Sequence, residues 1–369
     1  MQNTKLKLTV PWESLELAAQ QQIQRVLAIP ELERLAIMPD VHAGNDLCIG
    51  GVALLNGLVA PSFVGTDIGC GMCHANTGLG MEELGLSSRK DRERLFKHLQ
   101  KAIPCDKHDA PCGQGLFPEF KSSSGDTKLT TLVQNASQIQ FATLGHGNHF
   151  LEIGVNSGGT VGITIHSGSR HPGFAIAEWY LPHGRLFVLE SELGQAYLTD
   201  MQWAMDYARL NRRAMMETAL RAARVPESIA SNALQSDAFI DASHNHALPF
   251  GAHGMLHRKG ASPANMGQPG IIPANQRDGV WITCGLGNAE YLCSASHGAG
   301  RSLPRKAAAR KGTTRDMEKL MQGIVCRIDK EVLDEAPWAY KKIDGVLAAQ
   351  QGLLIDIIDH FKPVLVMKG

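Results

Sequence analysis

The nine residues VGTDIGCGM, at positions 64–72, hold an aspartate, a cysteine and three glycines. Asp67 and Cys70 stand three apart, so a carboxylate and a thiolate can converge on one small volume. Gly65, Gly69 and Gly71 allow positive φ and a close backbone approach to whatever is bound there. A hard oxygen beside a soft sulfur suits a borderline divalent ion such as Zn²⁺ or Mn²⁺ better than Ca²⁺ or Mg²⁺. The same residues would also build a buried turn whose cysteine merely packs. Taken alone, the segment leaves both readings open.

Histidines recur downstream inside runs rich in Gly, Asn or Ser. These are GHGNHFLE at 145–152, IHSGSR at 165–170, ASHNHA at 242–247 and SHGAGR at 296–301. A structural histidine usually sits singly on an apolar face, whereas four such runs among small residues fit a ligand shell. Ligands scattered from position 67 to position 297 imply one site assembled by the whole fold. A stand-alone zinc module would show two tight ligand pairs instead. Metal leads, and the expected architecture is α+β, one large domain of mixed sheets and helices over residues 1–369.

Bulk properties agree with such a domain. A hydrophobic content of 44% and 38 glycines describe a well-cored chain with many tight turns. No stretch approaches a membrane span, and the N-terminal segment with Lys5, Lys7, Glu13 and Glu16 lacks the apolar run of a signal peptide. The eight cysteines, from Cys48 to Cys326, follow no framework spacing, so they are expected to be reduced and the protein cytoplasmic. Lys+Arg and Asp+Glu balance at 36 each, which argues against a non-specific nucleic-acid coat but not against a local basic groove. Apolar periodicity predicts helices over 88–103, 195–224 and 313–322, the second with a core stripe of Tyr197, Met201, Ala204, Met205 and Ala208. Strands are expected over 161–165, 185–189, 280–283 and 364–367. The turn-rich 104–113 leads to a flexible loop at 121–126, and 261–278 reads as loop-rich.

Other features are weaker. CGMC at 70–73 has redox spacing, but Gly69 precedes it where that motif usually has an aromatic, and Asp67 shares its turn. The basic helix at 88–101 reads as a solvated face. His244, Asn245 and His246 spell a three-letter string too common to declare a nuclease. His98, His108 and His183 have no constellation around them.

Assembled in order, the segments resemble the RtcB-type RNA ligase family over nearly the full chain. The matches are MPDVHAG (38–44), VGTDIGCGM, LGHGNHFLE, HSGSR, SHN, HRKGA (257–261), HGAGR, EAPWAYKKID (335–344) and the terminal KG. The resemblance implies an RtcB-like fold and two Mn²⁺ ions bridged by Cys70, although Zn²⁺ would satisfy the same ligands. Asp67 and His149 would complete one metal site, His166 and His244 the other. His297 would be the nucleophile that takes GMP from GTP, and Asp40 would orient or activate the metal-bound groups. Asn148, Phe150, Glu152, Ala299, Gly300, Tyr340 and Lys368 would form the nucleotide pocket, with Glu152 on the guanine edge and Tyr340 stacked on the base. Arg170, Lys259, Arg301 and Arg305 would bind RNA phosphates.

The implied reaction joins an RNA 3′-phosphate, or a 2′,3′-cyclic phosphate opened first, to an RNA 5′-hydroxyl, in RNA repair or splicing. A metal-dependent RNA phosphoesterase and a non-catalytic RNA- or ribosome-associated factor are the alternative functions. The chain departs from the family pattern at Asp46, where glycine is usual, at 273–291, where a PGSMG-like turn is replaced, and at His171 and Pro172. It resembles a compact branch, some of whose members are encoded beside a release-factor homologue, a resemblance that implies a functional link to such a homologue and an RNA other than tRNA exon halves.

Overall fold

The structure, a computed structural model, describes residues 4–235 and 239–369. Its centre is an eight-stranded sheet. In spatial order it runs Pro269–Pro273, Val280–Gly285, Ile355–Met367, Phe150–Val155, Thr160–Ser167, Gly71–Gly80 and Ile240–Ser243, with Val325–Cys326 alongside Ile355–Met367. The sheet curls until its two edge strands pack against each other, Ile240 sharing a cluster with Ile271, Met72 and Phe361. A second sheet of five strands contains Leu32–His42, Ile49–Asn56 and Gly254–Lys259. Among the described residues, no helix is long and apolar enough to cross a membrane.

Strand alternation divides the large sheet into two chemistries. Leu151, Ile153, Ile163 and Ile165 face a helical layer and pack with Leu95, Leu99, Met215, Met216 and Leu220. Their neighbours Phe150, Glu152 and His166 point to the opposite side, because successive side chains alternate. The register sets Phe150 beside His166 and Glu152 beside Thr164. A one-residue slip would bury the imidazole among leucines and expose the core, so the apolar face fixes the polar one.

The expected helices form as Arg89–Ala102, Glu192–Ala222 and Thr314–Leu320. Ser88 and Ser191 cap the first two, and Thr313 with Asp316 makes a capping box on the third. The strand expected at 185–189 shrinks to Phe187–Val188, and that at 364–367 is the end of the 13-residue Ile355–Met367.

Two loop expectations are corrected. Segment 261–278 contains the strands Ala261–Pro263 and Pro269–Pro273. Its prolines read as breakers, but Pro269 and Pro273 lie on an edge strand, where a missing N–H costs little. Segment 121–126 is pinned: the Ser123 N–H and the Ser122 hydroxyl donate to Asp200, at 2.8 and 3.1 Å. Asp126 then caps the helix Thr127–Gln140, which the pattern did not reveal.

Asp46 adopts φ 63°, the left-handed conformation that explains the usual glycine. Its carboxylate accepts twice from Arg185 Nε, at 2.9 and 2.8 Å, so the local turn is kept with a side-chain clamp. The CGMC cysteines separate: Cys70 lies in the turn before strand Gly71–Gly80, whereas Cys73 lies on it. Cys73 joins the helical core, and all eight cysteines are free thiols.

Candidate metal centre and active-site pocket

Asp67 and Cys70 occupy the turn before strand Gly71–Gly80, where the Cys70 N–H donates to the Asp67 carbonyl at 3.1 Å. Asn245 supports that turn by donating from Nδ2 to the same carbonyl at 3.2 Å. No space remains for a side chain opposite: a Cβ on Gly168 would lie 2.3 Å from Asp67 Oδ1. His149 immediately precedes strand Phe150–Val155, His166 lies near the end of Thr160–Ser167, and His244 sits between two strands.

The five side chains form two groups that share one sulfur. Asp67, Cys70 and His149 make one; Cys70, His166 and His244 make the other, with ligand atoms within 4.8 Å of one another in each. Cys70 Sγ lies 3.4 Å from His149 Nε2 and 3.2 Å from His166 Nε2. His149 Nε2 is 3.0 Å from Asp67 Oδ2, and the Nε2 atoms of His166 and His244 are 3.3 Å apart.

The donor set fits cations. His149 Nδ1 faces the Leu144 carbonyl at 2.9 Å and His166 Nδ1 faces that of Asn148 at 3.1 Å. Those contacts place a proton on Nδ1 of each ring and turn Nε2 toward Cys70. Burial, then neighbouring imidazoles, hold His166 and His244 well below the usual histidine range, so both rings are neutral. Burial opposes ionisation of Asp67, but His149 outweighs it and brings the carboxyl down to about 2. The Cys70 thiol is pushed well up, first by burial and then by Asp67. Acceptor atoms converging on the single Cys70 S–H outnumber the protons available, and a divalent cation would satisfy them and deprotonate the sulfur.

Beside this cluster, His297 follows strand Ser294–Ser296, its ring centroid 4.8 Å from that of His244. Its Nδ1–H donates to Asp40 Oδ2 at 2.7 Å, and its backbone N–H donates to the same oxygen at 3.2 Å. Asp40 is fully buried on strand Leu32–His42. Its carboxylate touches His297, the nucleophile that the resemblance implies. Gly300, at φ 74°, permits this approach, since a Cβ there would lie 2.2 Å from the Asp40 carbonyl oxygen.

His297 and His166 border a cavity of about 520 Å³. All seven expected nucleotide residues line it: Asn148, Phe150, Glu152, Ala299, Gly300, Tyr340 and Lys368. Glu152 is buried, its Oε1 has no hydrogen-bond partner, and desolvation pushes its carboxyl well above the ordinary range. An unpartnered carboxyl in a cavity wall calls for donors from a ligand.

The four basic residues separate. Arg301 and Arg305 line the cavity. Arg170 instead donates from Nη2 to the Cys105 carbonyl and from Nε to Thr143 Oγ1, at 3.2 and 3.3 Å. Lys259 is buried and donates to the carbonyls of Ser62, at 2.8 Å, and Asn45. Burial lowers its pKa to about 8. Neither lines the cavity.

Of the altered segment 273–291, only Pro273, Ala274, Asn275 and Gln276 reach the cavity; Val280–Gly285 is a sheet strand. Glu335 opens the EAPWAYKKID motif, where the sequence alone gives it no role. It is a buried acceptor for several cavity side chains, and an acid amid apolar residues was the one available signal. Opposed by burial but favoured chiefly by Lys368 and then Arg305, its pKa falls to about 2.

A family profile described as "tRNA-splicing ligase RtcB" matches residues 22–116 and 118–369. The RNA-splicing ligase RtcB of Escherichia coli K12 is 33% identical over 411 residues, which cover 100% of this chain and 98% of that protein. The tRNA-splicing ligase RtcB of Methanococcus maripaludis is 27% identical over 447 residues, covering 97% and 93%. The RNA-splicing ligase RtcB of Mycobacterium bovis is 27% identical over 436 residues, covering 94% and 100%.

Proposed function

The chain belongs to the RtcB family of RNA-splicing ligases, and from that membership we propose a GTP- and Mn²⁺-dependent enzyme that works through a histidine–GMP intermediate. Its substrates are an RNA 3′-phosphate, or a 2′,3′-cyclic phosphate opened first by water, and an RNA 5′-hydroxyl. The observation that carries this reading is the His297–Asp40 pair at 2.7 Å, beside a sulfur-bridged ligand cluster.

With Nδ1–H committed to Asp40, Nε2 of His297 is the free nucleophile. In the first step its lone pair forms an N–P bond to the GTP α-phosphorus as the bond to pyrophosphate breaks. An oxygen of the RNA 3′-phosphate then takes the GMP, and the imidazole is released. Finally the 5′-hydroxyl oxygen attacks the activated RNA phosphorus, loses its proton, and displaces GMP. Activation is required because a phosphate monoester dianion offers a poor leaving group and repels nucleophiles. Asp67, Cys70 and His149, and Cys70, His166 and His244, would hold divalent ions that would neutralise charge on the phosphate oxygens.

Asp40→Asn tests the pairing. An amide in place of the carboxylate no longer stabilises the cationic ring that forms on attack, and it can turn an N–H toward Nδ1. Adduct formation is expected to fall by ~10²–10⁴, with metal content unchanged. An unchanged single-turnover rate would remove Asp40 from the reaction.

Glu152 gives a base-selectivity prediction. Guanine offers N1–H and an exocyclic amine, whereas adenine presents a bare N1 that leaves the carboxyl unpaired. Discrimination of ~100-fold or more for GTP over ATP is expected, and Glu152→Gln should weaken GTP use and narrow the gap. Adduct formation with labelled GTP and ATP, measured side by side, checks both. Equal labelling by the two nucleotides in wild-type protein would end the guanine assignment.

The ligation reading is tested with RNA pieces ending in 3′-phosphate and 5′-hydroxyl, incubated with protein, Mn²⁺ and with or without GTP. Joined RNA that depends on GTP supports it. Hydrolysed ends without joined product would favour a phosphoesterase instead.

A further inference from the structure

Glu335 ends the short turn Lys330–Glu335 behind the cavity wall, where it is only 2% exposed. Its oxygens divide their partners. Oε1 accepts from Arg301 Nη1 at 2.8 Å and Arg305 Nη1 at 2.6 Å. Oε2 accepts from Lys368 Nζ at 2.9 Å and from the Tyr340 hydroxyl.

The two pairs differ in what else holds them. Arg301 also donates to the carbonyls of Leu303, at 3.0 Å, and Asp334, at 2.7 Å. Arg305 also donates to Asp334 Oδ2 at 2.7 Å. The Lys368 ammonium and the Tyr340 hydroxyl have no other hydrogen-bond partner among the described residues. Tyr340 and Lys368 line the cavity, and the Arg301 guanidinium lies over the Tyr340 ring, 5.6 Å from its centroid.

We propose that Glu335 is a positioning residue for the nucleotide: through Oε2 it alone anchors the Tyr340 hydroxyl and the Lys368 ammonium, and so sets the affinity for GTP. The proposal rests on the ligase reading above. A carboxylate accepts on both oxygens, whereas a glutamine must turn an N–H toward one pair of donors. The arginines keep their other acceptors, so the loss falls on the tyrosine and the lysine. Rigid placement of these side chains lowers the cost of ordering them when the base enters.

Glu335→Gln, Tyr340→Phe and the double variant test this in the metal-loaded protein. Glu335→Gln should raise the GTP KM for adduct formation by ~10-fold or more, as expected for a lost charged hydrogen bond. The rate at saturating GTP and the KM for the RNA 3′-phosphate should stay within ~3-fold, with metal content intact. Glu335→Asp should restore part of the GTP affinity. Tyr340→Phe should raise the GTP KM by itself and add little on top of Glu335→Gln, because both remove the same anchor.

An unchanged GTP KM in Glu335→Gln would overturn the proposal. So would an equal rise in both KM values, which marks a general loss of the cavity wall, or full additivity of the two substitutions. If Glu335→Gln does not fold, Tyr340→Phe decides alone, and an unaltered GTP KM there is equally fatal. Failure of the wild-type protein to form any adduct would instead strike the ligase reading itself.

Discussion

Cys70→Ala is expected to lose both metal equivalents and RNA joining together. Its sulfur belongs to both ligand groups, so removing it deletes one donor from each. Loss of a supporting side chain outside a coordination shell costs 10–100-fold, so loss of a shared ligand should reduce joining by ~10³-fold or more. Elemental analysis and a joining assay on the same preparation check this. Cys73→Ala is the control, because that thiol packs in the helical core. It should lower stability by roughly 1 kcal/mol and keep both metals. Two full equivalents in Cys70→Ala would refute the bridging role.

His297→Ala is expected to bind metal normally, form no GMP adduct, and still join RNA whose 3′ end already carries GMP. The imidazole touches Asp40 and lies tilted beside His244, but belongs to neither ligand group. Its removal should therefore spare metal loading, while joining that starts from GTP drops by ~10⁴ or more. Separate assays with plain 3′-phosphate RNA and with preactivated RNA distinguish the steps. Preactivated RNA left unsealed would give His297 a role in the last step or in the structure.

The features written in short-range chemistry were legible in the sequence. Asp67 and Cys70 share one glycine-bearing turn, and His166 alternates with Ile163 and Ile165 along a single strand, so local spacing places them. The helices carried apolar stripes and capping residues, and they formed with small changes at their ends. Segment 261–278 was misread because proline signals a breaker without saying whether an edge strand will tolerate it. Arg170 and Lys259 show a different limit. Their motifs announce positive charge, but only the folded chain shows that carbonyls of Cys105, Ser62 and Asn45 take it up. Glu335 was the least legible of all. Its partners come from positions 301, 305, 340 and 368, and no periodicity links them. Asp46 could be noticed as a departure, yet its clamp comes from Arg185, 139 residues away.

The central claim is that His297 carries GMP. The most direct measurement incubates purified protein with α-labelled GTP and Mn²⁺, isolates the protein under alkaline denaturing conditions, and maps the labelled peptide. The account predicts one adduct per chain on His297, stable in alkali and released by acid as a phosphoramidate should be, and absent from His297→Ala. Joining that depends on GTP without any protein-bound label, or label on a lysine that survives in His297→Ala, would contradict it.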